Sequence, residues 1–241
     1  MYSDCILACF MGAEPEMTVT FDSEWLEDVP AMLGDWLSSI ADSGAKAIVI
    51  LGPSVTDEIG RREVLATCSS EPMDLLTHAA RVLSESADFT DWPLVSWQDI
   101  LRGESDEGLN AQGWRAFLRN HGLISFVRVA MELPGGKAFE IYTFCAHPIR
   151  NRSEAAAFVW ATMGAWPDVR RALALTRLKI SDREMECLKC VVAGMSAKSI
   201  AETMGIKERT ATYFVNSLAD KFITTGRSTL PRKAAWLGVL D

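Results

Sequence analysis

Four side chains near the C-terminus have the chemistry to read the edges of nucleic-acid bases. Arg209, Thr212, Tyr213 and Asn216 fall on one side of a predicted helix and cluster toward its N-terminal half. Asn can bond adenine in bidentate fashion, Arg can bond guanine or a phosphate, and Thr can contact a thymine methyl group. This arrangement is typical of a recognition helix, which presents its N-terminal half to base edges. The alternative is a small helical bundle whose polar face is merely solvated.

The predicted helix that carries these residues begins near Lys207 or Glu208 and extends to about Phe222. Its opposite side has apolar residues at the i, i+3, i+4, i+7 spacing of a core-facing stripe, namely Ala211, Phe214, Val215, Leu218 and Phe222. The spacing therefore predicts that core packing aims the polar side toward solvent.

Two shorter helices are predicted before this one. Ser181 and Glu184 form a capping-box pair at the start of the first, and Gly194 is a suitable C-terminal stop. Ser196 can cap the second, which ends at Gly205 in the compact connection expected of a helix-turn-helix.

Basic residues around these helices are candidates for phosphate contacts. Lys198 lies on the second helix, Lys221 at the end of the third, and Arg227 after it. Such contacts set the register of a protein on a duplex without reading its sequence.

The segment resembles the LuxR-type helix-turn-helix in several blocks that keep the same register. These blocks are GMSAKSIA from Gly194, MGIKERT ending at Thr210, the single residues Asn216 and Lys221, and WLGVL at 236–240. The resemblance implies sequence-specific binding to double-stranded DNA through Lys198, Arg209, Thr210, Thr212, Tyr213, Asn216 and Lys221. Ala211, Phe214 and Ser217 replace the usual Val, His and Asn, which bears on operator preference.

Charge divides the chain into two parts. The net charge is −8, yet from residue 176 onward 11 Lys and Arg face 7 Asp and Glu, whereas the first 175 residues hold 13 against 25. A cationic module behind an acidic one suits DNA binding at one end. The length of 241 residues allows two domains, which we predict at 17–175 and 176–241. Residues 1–16 are interpreted as an extension with little structure of its own.

The fold class predicted is α+β, with an N-terminal α/β/α sandwich around a small antiparallel sheet and an all-α domain of four helices at the C-terminus. N-terminal helices are expected from 22 or 23 to about 40, at 72–83, from 110 or 112 to 120, and at 153–175, where Ser153 is the expected cap. Strands are expected at 45–51 and 63–67, followed by a hairpin of 124–133 with 138–146. Arg128, Glu132, Glu140 and Tyr142 alternate with apolar residues, which predicts a hairpin exposed on one side.

This order of elements is similar to the autoinducer-binding domain of quorum-sensing LuxR-type receptors, as are VSW at 95–97, GL at 122–123 and the Gly-Gly turn. The resemblance implies a pocket for a small apolar signal, with Trp97 in its lining, whereas Phe126 stands where the family has Gly. Phe126, Tyr142 and Phe144 are further candidates to line a cavity for a different apolar ligand. The alternative is that these rings fill the core. The family's block of Trp, Tyr and Asp is not found between residues 51 and 92, which argues against an ordinary acyl-homoserine lactone as the ligand.

No enzyme motif is found, whether a nucleophile elbow, P-loop, zinc-protease signature or dinucleotide fingerprint, and a hairpin face exposed to solvent explains Glu132 and Glu140. His78, His121 and His147 lack metal-ligand spacing, and Cys187 with Cys190 is interpreted as core filling. We therefore predict no catalysis, no cofactor and no metal.

Six cysteines without a disulfide framework and the lack of a membrane-spanning apolar run favour a cytoplasmic protein. The function predicted is transcriptional regulation by a homodimer, with helix 153–175 pairing the subunits and RNA polymerase as a further candidate partner. A receiver domain is disfavoured, because strand 45–51 ends in Gly-Pro-Ser rather than an acidic pair. The main alternative is a ligand-independent regulator whose N-terminal domain is a dimerisation or protein-interaction platform.

Overall fold

The computed structural model describes residues 18–20, 28–53, 62–70, 76–85, 95–99, 118–133, 137–224 and 226–240. The strands among them are β1 (Thr18–Thr20), β2 (Ala45–Pro53), β3 (Arg62–Ser69), β4 (Val95–Asp99), β5 (Ser125–Leu133) and β6 (Lys137–Cys145). The α-helices are α1 (Asp28–Ser39), α2 (Leu76–Glu85), α3 (Arg152–Leu178), α4 (Asp182–Val192), α5 (Ala197–Met204), α6 (Glu208–Lys221) and α7 (Leu230–Trp236).

The six strands form one antiparallel sheet in the order β1-β3-β2-β6-β5-β4. The hairpin of β5 and β6 is paired from Ser125 opposite Cys145 to Leu133 opposite Lys137, without a register shift. Beside it, β2 pairs with β6 and with β3, so the predicted strands 45–51 and 63–67 are confirmed as neighbours. The α+β class is confirmed as well.

Helices cover both faces of the sheet, because alternate side chains of a strand point to opposite faces. Along β2, Ile48 and Ile50 enter the core that α1 and α3 close, whereas Val49 and Leu51 enter the core beneath α2. The sequence AKAIVIL therefore reads as a continuous apolar run rather than an alternating one, as expected for a strand buried on both sides.

The hairpin face predicted to be exposed is buried, and this prediction was wrong. Glu140 lies at the centre of a polar cluster, where its Oε2 accepts hydrogen bonds from Arg128 Nε at 2.9 Å and from Tyr142 Oη at 2.7 Å. Arg62 Nη1 lies 3.2 Å from Oε1 of the same carboxylate. Arg128 and Glu140 are only 4% and 5% exposed, because α2 and its neighbours cover this side of the hairpin. Of the four alternating residues, Glu132 alone is exposed.

The Glu140 cluster is electrostatically matched to its burial. Burial raises the pKa of the Glu140 carboxyl, but hydrogen bonds from Tyr142 and Arg128 and the charge of Arg62 outweigh this effect and lower it. Burial and the neighbouring Glu140 charge raise the pKa of Tyr142, so the phenol remains a donor. The carboxylate is thus held in its charged form by side chains on three strands of one sheet, namely Arg62 of β3, Arg128 of β5 and Tyr142 of β6.

Helix α3 starts and ends differently from the prediction at 153–175. Asn151, rather than Ser153, is its N-cap, since Asn151 Oδ1 accepts from Glu154 N at 3.0 Å and Glu154 returns bonds to this turn. The helix continues through Leu178 and ends at Lys179, whose φ is 46°. Parts of three other predicted helices, 22–27, 72–75 and 110–117, lie outside the described residues.

A second core forms around α4, α5, α6 and α7, and α3 contributes its last turns to it. Residues of α3 up to Leu173 pack against the sheet, whereas Ala174 and Leu178 belong to the C-terminal core. The domain boundary at residues 175 and 176 stays a prediction, which this change of core between neighbouring residues supports. Among the described residues, no helix combines the length and the apolar character that crossing a membrane requires.

We expect Glu140→Gln to lower the free energy of unfolding by about 3 kcal/mol, because the substitution removes the buried negative charge that Arg128 and Arg62 contact. Urea denaturation followed by circular dichroism measures the change. The matched control is Glu132→Gln on the same hairpin, which should stay within about 0.5 kcal/mol of the wild type since Glu132 is exposed. Equal unfolding midpoints for the two variants would contradict the structural role of the cluster.

Candidate nucleic-acid interface

The first helix of the C-terminal domain is positioned by the predicted capping box. Ser181 Oγ accepts from Glu184 N at 3.4 Å, and Glu184 Oε2 accepts from Ser181 N at 2.9 Å. This exchange satisfies amide groups that the first turn of a helix leaves without an intrahelical partner. On the inner side of α4, Cys187 and Leu188 are fully buried in the domain core.

A tight turn connects α5 to α6. Gly205 has a φ of 64°, a left-handed conformation that suits glycine, and its N–H bonds back to the end of α5. Ile206 N donates to Ala201 O at 2.9 Å, which closes the same turn. At the other end of α5, Ser196 Oγ caps the helix through Ser199 N at 3.1 Å. Local hydrogen bonding therefore sets the spacing of the two helices.

Helix α6 has one buried and one exposed face, as the periodicity predicts. Its buried face consists of Ala211, Val215, Leu218 and Ala219 with the adjoining Phe222, and Phe214, which was predicted on this face, is half-buried against the same core. Four of the predicted base-reading residues are exposed together on the other face: Arg209, Thr212, Tyr213 and Asn216. Tyr213 is 67% exposed although it is a large aromatic residue, and such side chains on a polar face are available for a partner.

The remaining candidates of the helix-turn-helix lie beside this face. Thr210 is half-buried at the start of α6, and Lys198 is exposed near the start of α5. The sequence interpretation missed Lys207, which is exposed at the N-cap position of α6 directly before Glu208 and Arg209. Its position directly before the predicted recognition helix was the available signal, because anions are favoured at helix N-termini.

Lys221 is engaged within the protein, and its assignment as a phosphate contact stays a prediction. Its Nζ lies 2.7 Å from Glu184 Oε2 and donates at 2.7 Å to the carbonyl oxygen of Lys179. Ser217 Oγ donates to Glu184 Oε1 at 2.7 Å. Position 221 therefore ties the C-terminal end of α6 to the start of α4, and the physical reason is the buried carboxylate beneath it.

Glu184 is the acceptor that holds this arrangement. Burial raises the pKa of its carboxyl, but the hydrogen bonds from Lys221, Ser181 and Ser217 outweigh burial and lower the pKa to about 2. The carboxylate is therefore charged throughout the physiological range, and α6 is held by a charge-assisted contact.

The four residues predicted to line a ligand pocket do not come together. Phe126, Tyr142 and Phe144 are buried on one face of the sheet, where the ring centroids of Phe126 lie 5.7 Å from Tyr142 and 5.8 Å from Phe144. Trp97 pairs with Val127, so its side chain lies on the opposite face, and it is 36% exposed. Register, which residue spacing alone does not reveal, separates Trp97 from the other three.

The buried cysteines show no reactive geometry in the described part of the chain. Cys187 and Cys190 are free and buried in the C-terminal core, and burial raises the pKa of Cys187 to about 11. Among the described residues, no group of three or more His, Cys, Asp or Glu side chains could hold a metal ion. The exposed face of α6 is thus the arrangement with the clearest chemistry.

Comparison with known families agrees with this geometry. Residues 178–234 match the family GerE, bacterial regulatory proteins of the luxR family. The match covers α4 to α6 and most of α7, the helices that form the helix-turn-helix and its exposed face. No curated protein matches the chain.

The chain is also distantly similar to solved structures. A structure of SdiA in complex with octanoyl-rac-glycerol is 16% identical, with 87% of this chain and 88% of that chain covered and a TM-score of 0.45. Escherichia coli SdiA in another crystal form is 16% identical over 90% and 93%, with a TM-score of 0.47. A phage VqmA–DPO complex is 16% identical over 66% and 90%, with a TM-score of 0.26. Likeness at this level supports no conclusion about function.

We expect the stability that Glu184 contributes to depend on pH in one direction. Because its pKa falls from 4.5 to about 2 on folding, the contribution is fully present above about pH 4.5 and disappears as the pH falls through about 2. Urea unfolding at pH 6 should show Glu184→Gln less stable than the wild type by roughly 2–3 kcal/mol, and the difference should shrink by pH 3.

The control for this measurement is Glu186→Gln on the same helix. Glu186 is 44% exposed and pairs with Arg183 at 2.8 Å, so its removal should cost less than about 0.5 kcal/mol at both pH values. A Glu184→Gln deficit that stays constant from pH 6 to pH 3 would show that the loss does not come from the charge.

Proposed function

We propose that this chain, whose residues 178–234 belong to the luxR family of bacterial regulatory proteins, binds double-stranded DNA sequence-specifically as a homodimer and so regulates transcription. The observation that carries the proposal is the exposed group of Arg209, Thr212, Tyr213 and Asn216 on α6. The N-terminal half of this helix projects from a domain whose core holds its other face, which is the geometry needed to enter a major groove.

Each exposed residue has a role in this proposal. Asn216 and Arg209 read base edges through bidentate hydrogen bonds, Thr212 contacts a thymine methyl group, and Tyr213 packs along the backbone or a base edge. Lys198 and Lys207 contact phosphates and set the register of the domain on the duplex. The excess of basic residues after position 176 supplies the long-range attraction.

Helix α3 is the proposed site of subunit pairing. Its buried side packs against the sheet, but Trp160 is 74% exposed and Met163 is 44% exposed on the side that faces solvent. Gly164 and Pro167 follow on the same side at helical spacing and are also exposed. A large aromatic residue next to small neighbours is suited to insertion into a second copy of the same helix, as in an isologous interface.

The packing of its aromatic side chains supports an alternative role for the N-terminal domain. Phe126, Tyr142 and Phe144 contact one another rather than border an open space with Trp97. This packing favours the alternative in which the domain is a dimerisation platform rather than a receptor for an acyl-lactone. The melting temperature of the protein, measured with a panel of lactones, tests this alternative. A bound ligand raises the melting temperature, so a dimerisation platform should show no increase.

We expect Arg209→Ala and Asn216→Ala each to weaken binding to a selected operator by about 1–3 kcal/mol, with relaxed discrimination at one base pair. Lys198→Ala should weaken binding to all duplexes alike and reduce the slope of log K against log salt by about 1. Fluorescence anisotropy with operator and scrambled oligonucleotides at several salt concentrations measures both effects.

Arg183→Ala is the control for these variants, because Arg183 is exposed in the same domain but pairs with Glu186 outside α5 and α6. It should change neither the affinity nor the salt slope. Unchanged discrimination in Asn216→Ala would show that the face assigned to DNA is not the one that reads bases.

We expect Trp160→Glu to shift the chain from dimer to monomer and to raise the dimer dissociation constant by more than tenfold, because the substitution places a charge in the proposed interface. Sedimentation velocity over a concentration series measures the shift. Val192→Glu is the matched control, since Val192 is a 43% exposed apolar residue on α4. A wild-type chain that stays monomeric at high concentration would contradict pairing through α3.

A further inference from the structure

A cavity of about 380 Å³ lies where the sheet, α3 and the C-terminal helices meet. Leu65 and Phe139 of the sheet form one wall, Trp166 of α3 forms another, and Trp236 and Leu237 close the side of the C-terminal domain. Small-molecule sites in proteins have volumes of about 300–1,000 Å³ and lie preferentially between domains. The space is distinct from the ring cluster beneath α2 and from the exposed face of α6.

The walls of this cavity are apolar, and its charged lining residues all have one sign. Aromatic and aliphatic side chains from all three walls face the space. Arg170, Arg177, Arg232 and Lys233 also line it, whereas none of the described lining residues is acidic. Charges of one sign beside low-dielectric walls concentrate the electrostatic potential in a cleft. The cavity therefore favours a ligand that is apolar over most of its length and negatively charged at one end.

The cationic side chains that line the cavity differ in the contacts that they make within the protein. Arg177 pairs with Glu63 at 2.9 Å, and Lys233 Nζ donates to the carbonyl oxygen of Ile223 at 3.1 Å. Arg232 is exposed, and its guanidinium carbon lies 5.9 Å from the ring centroid of Trp236. A guanidinium held over an indole ring remains able to form a bidentate bond with a carboxylate. Arg232 is thus placed between the apolar wall and solvent.

We infer that the cavity binds an amphipathic monocarboxylate, with its apolar tail between Phe139 and Trp236 and its carboxylate at Arg232. The tail exchanges water for aromatic and aliphatic surface, which favours binding in proportion to the apolar area removed from water. The carboxylate exchanges water for a guanidinium beside an apolar wall, where a charge-assisted bond is stronger than in bulk solvent.

Occupation of this site would contact both parts of the chain. Ile223 and Thr224, which follow α6 after its C-cap Phe222, line the cavity together with Leu65 and Phe139 of the sheet. A ligand held by both walls binds best to one placement of the DNA-binding domain relative to the sheet, so it shifts that equilibrium. This regulatory consequence rests on the proposed DNA binding, whereas the binding site itself does not.

Isothermal titration calorimetry of the full chain with decanoate, below the concentration at which it aggregates, tests the site. Decanoate should bind saturably with one molecule per chain, and decanol should bind at least tenfold more weakly, because it lacks the charge. Arg232→Glu should weaken decanoate at least tenfold and leave decanol unchanged. Arg183→Glu, an exposed cation outside the cavity that is 64% accessible, should leave both affinities unchanged.

The absence of saturable decanoate binding overturns the inference, and so does equal affinity for decanoate and decanol. Undiminished binding in Arg232→Glu, with an unchanged melting temperature, overturns the assigned position of the carboxylate. If decanoate binds as expected but operator affinity stays the same with and without it, the regulatory consequence is wrong, since coupling between two sites is reciprocal. Failure to bind any duplex, with decanoate binding intact, removes the proposed function and leaves the site.

Discussion

Helix α3 contributes side chains to both hydrophobic cores, and this packing connects the N-terminal sheet to the C-terminal helices. Its side chains pack under the sheet as far as Leu173 and join the C-terminal core from Ala174 onward. Leu237 contacts both cores, and the Arg170 side chain lies so close to Gly238 that a Cβ there would come within 2.7 Å of it. Helix α3 is therefore one continuous element that packs against the sheet along most of its length and against the C-terminal helices at its last turns. The junction cavity is bordered by the same helix.

Helix α6 is held at its C-terminal end and exposed along its N-terminal half. Glu184, in the first turn of α4, accepts hydrogen bonds from Ser217 and Lys221 in the C-terminal half of α6. The N-terminal half has no such tie among the described residues and presents Arg209 and Thr212 to solvent. A single buried carboxylate thus combines helix capping with the orientation of a second helix. Of the two basic residues of α6, Lys221 therefore serves the fold, whereas Arg209 is exposed to solvent.

The N-terminal sheet places polar chemistry inside the protein rather than on its surface. Since helices cover both faces, Arg128, Glu140 and Tyr142 are buried together and satisfy one another. Beneath α2, the aromatic rings of Phe126, Tyr142 and Phe144 pack in mutual contact. The sheet is therefore filled beneath α2, and the cavity lies on its other face, lined by residues of β2, β3, β5 and β6 and by α3 and α7. The proposed ligand site therefore lies where the sheet meets the C-terminal helices.

Local signals in the chain were sufficient to predict the helix-turn-helix, because caps, stops and apolar spacing are local. Ser181 with Glu184, the turn at Gly205 and the two faces of α6 were all predictable. The same signals predicted the paired strands and the α+β class. They could not predict that Lys221 bonds Glu184, that Glu140 is buried or that Trp97 lies on the opposite face of the sheet from Phe126. The reason is physical: these outcomes depend on strand register and on which elements cover a face, and both are set by contacts between residues distant in the chain.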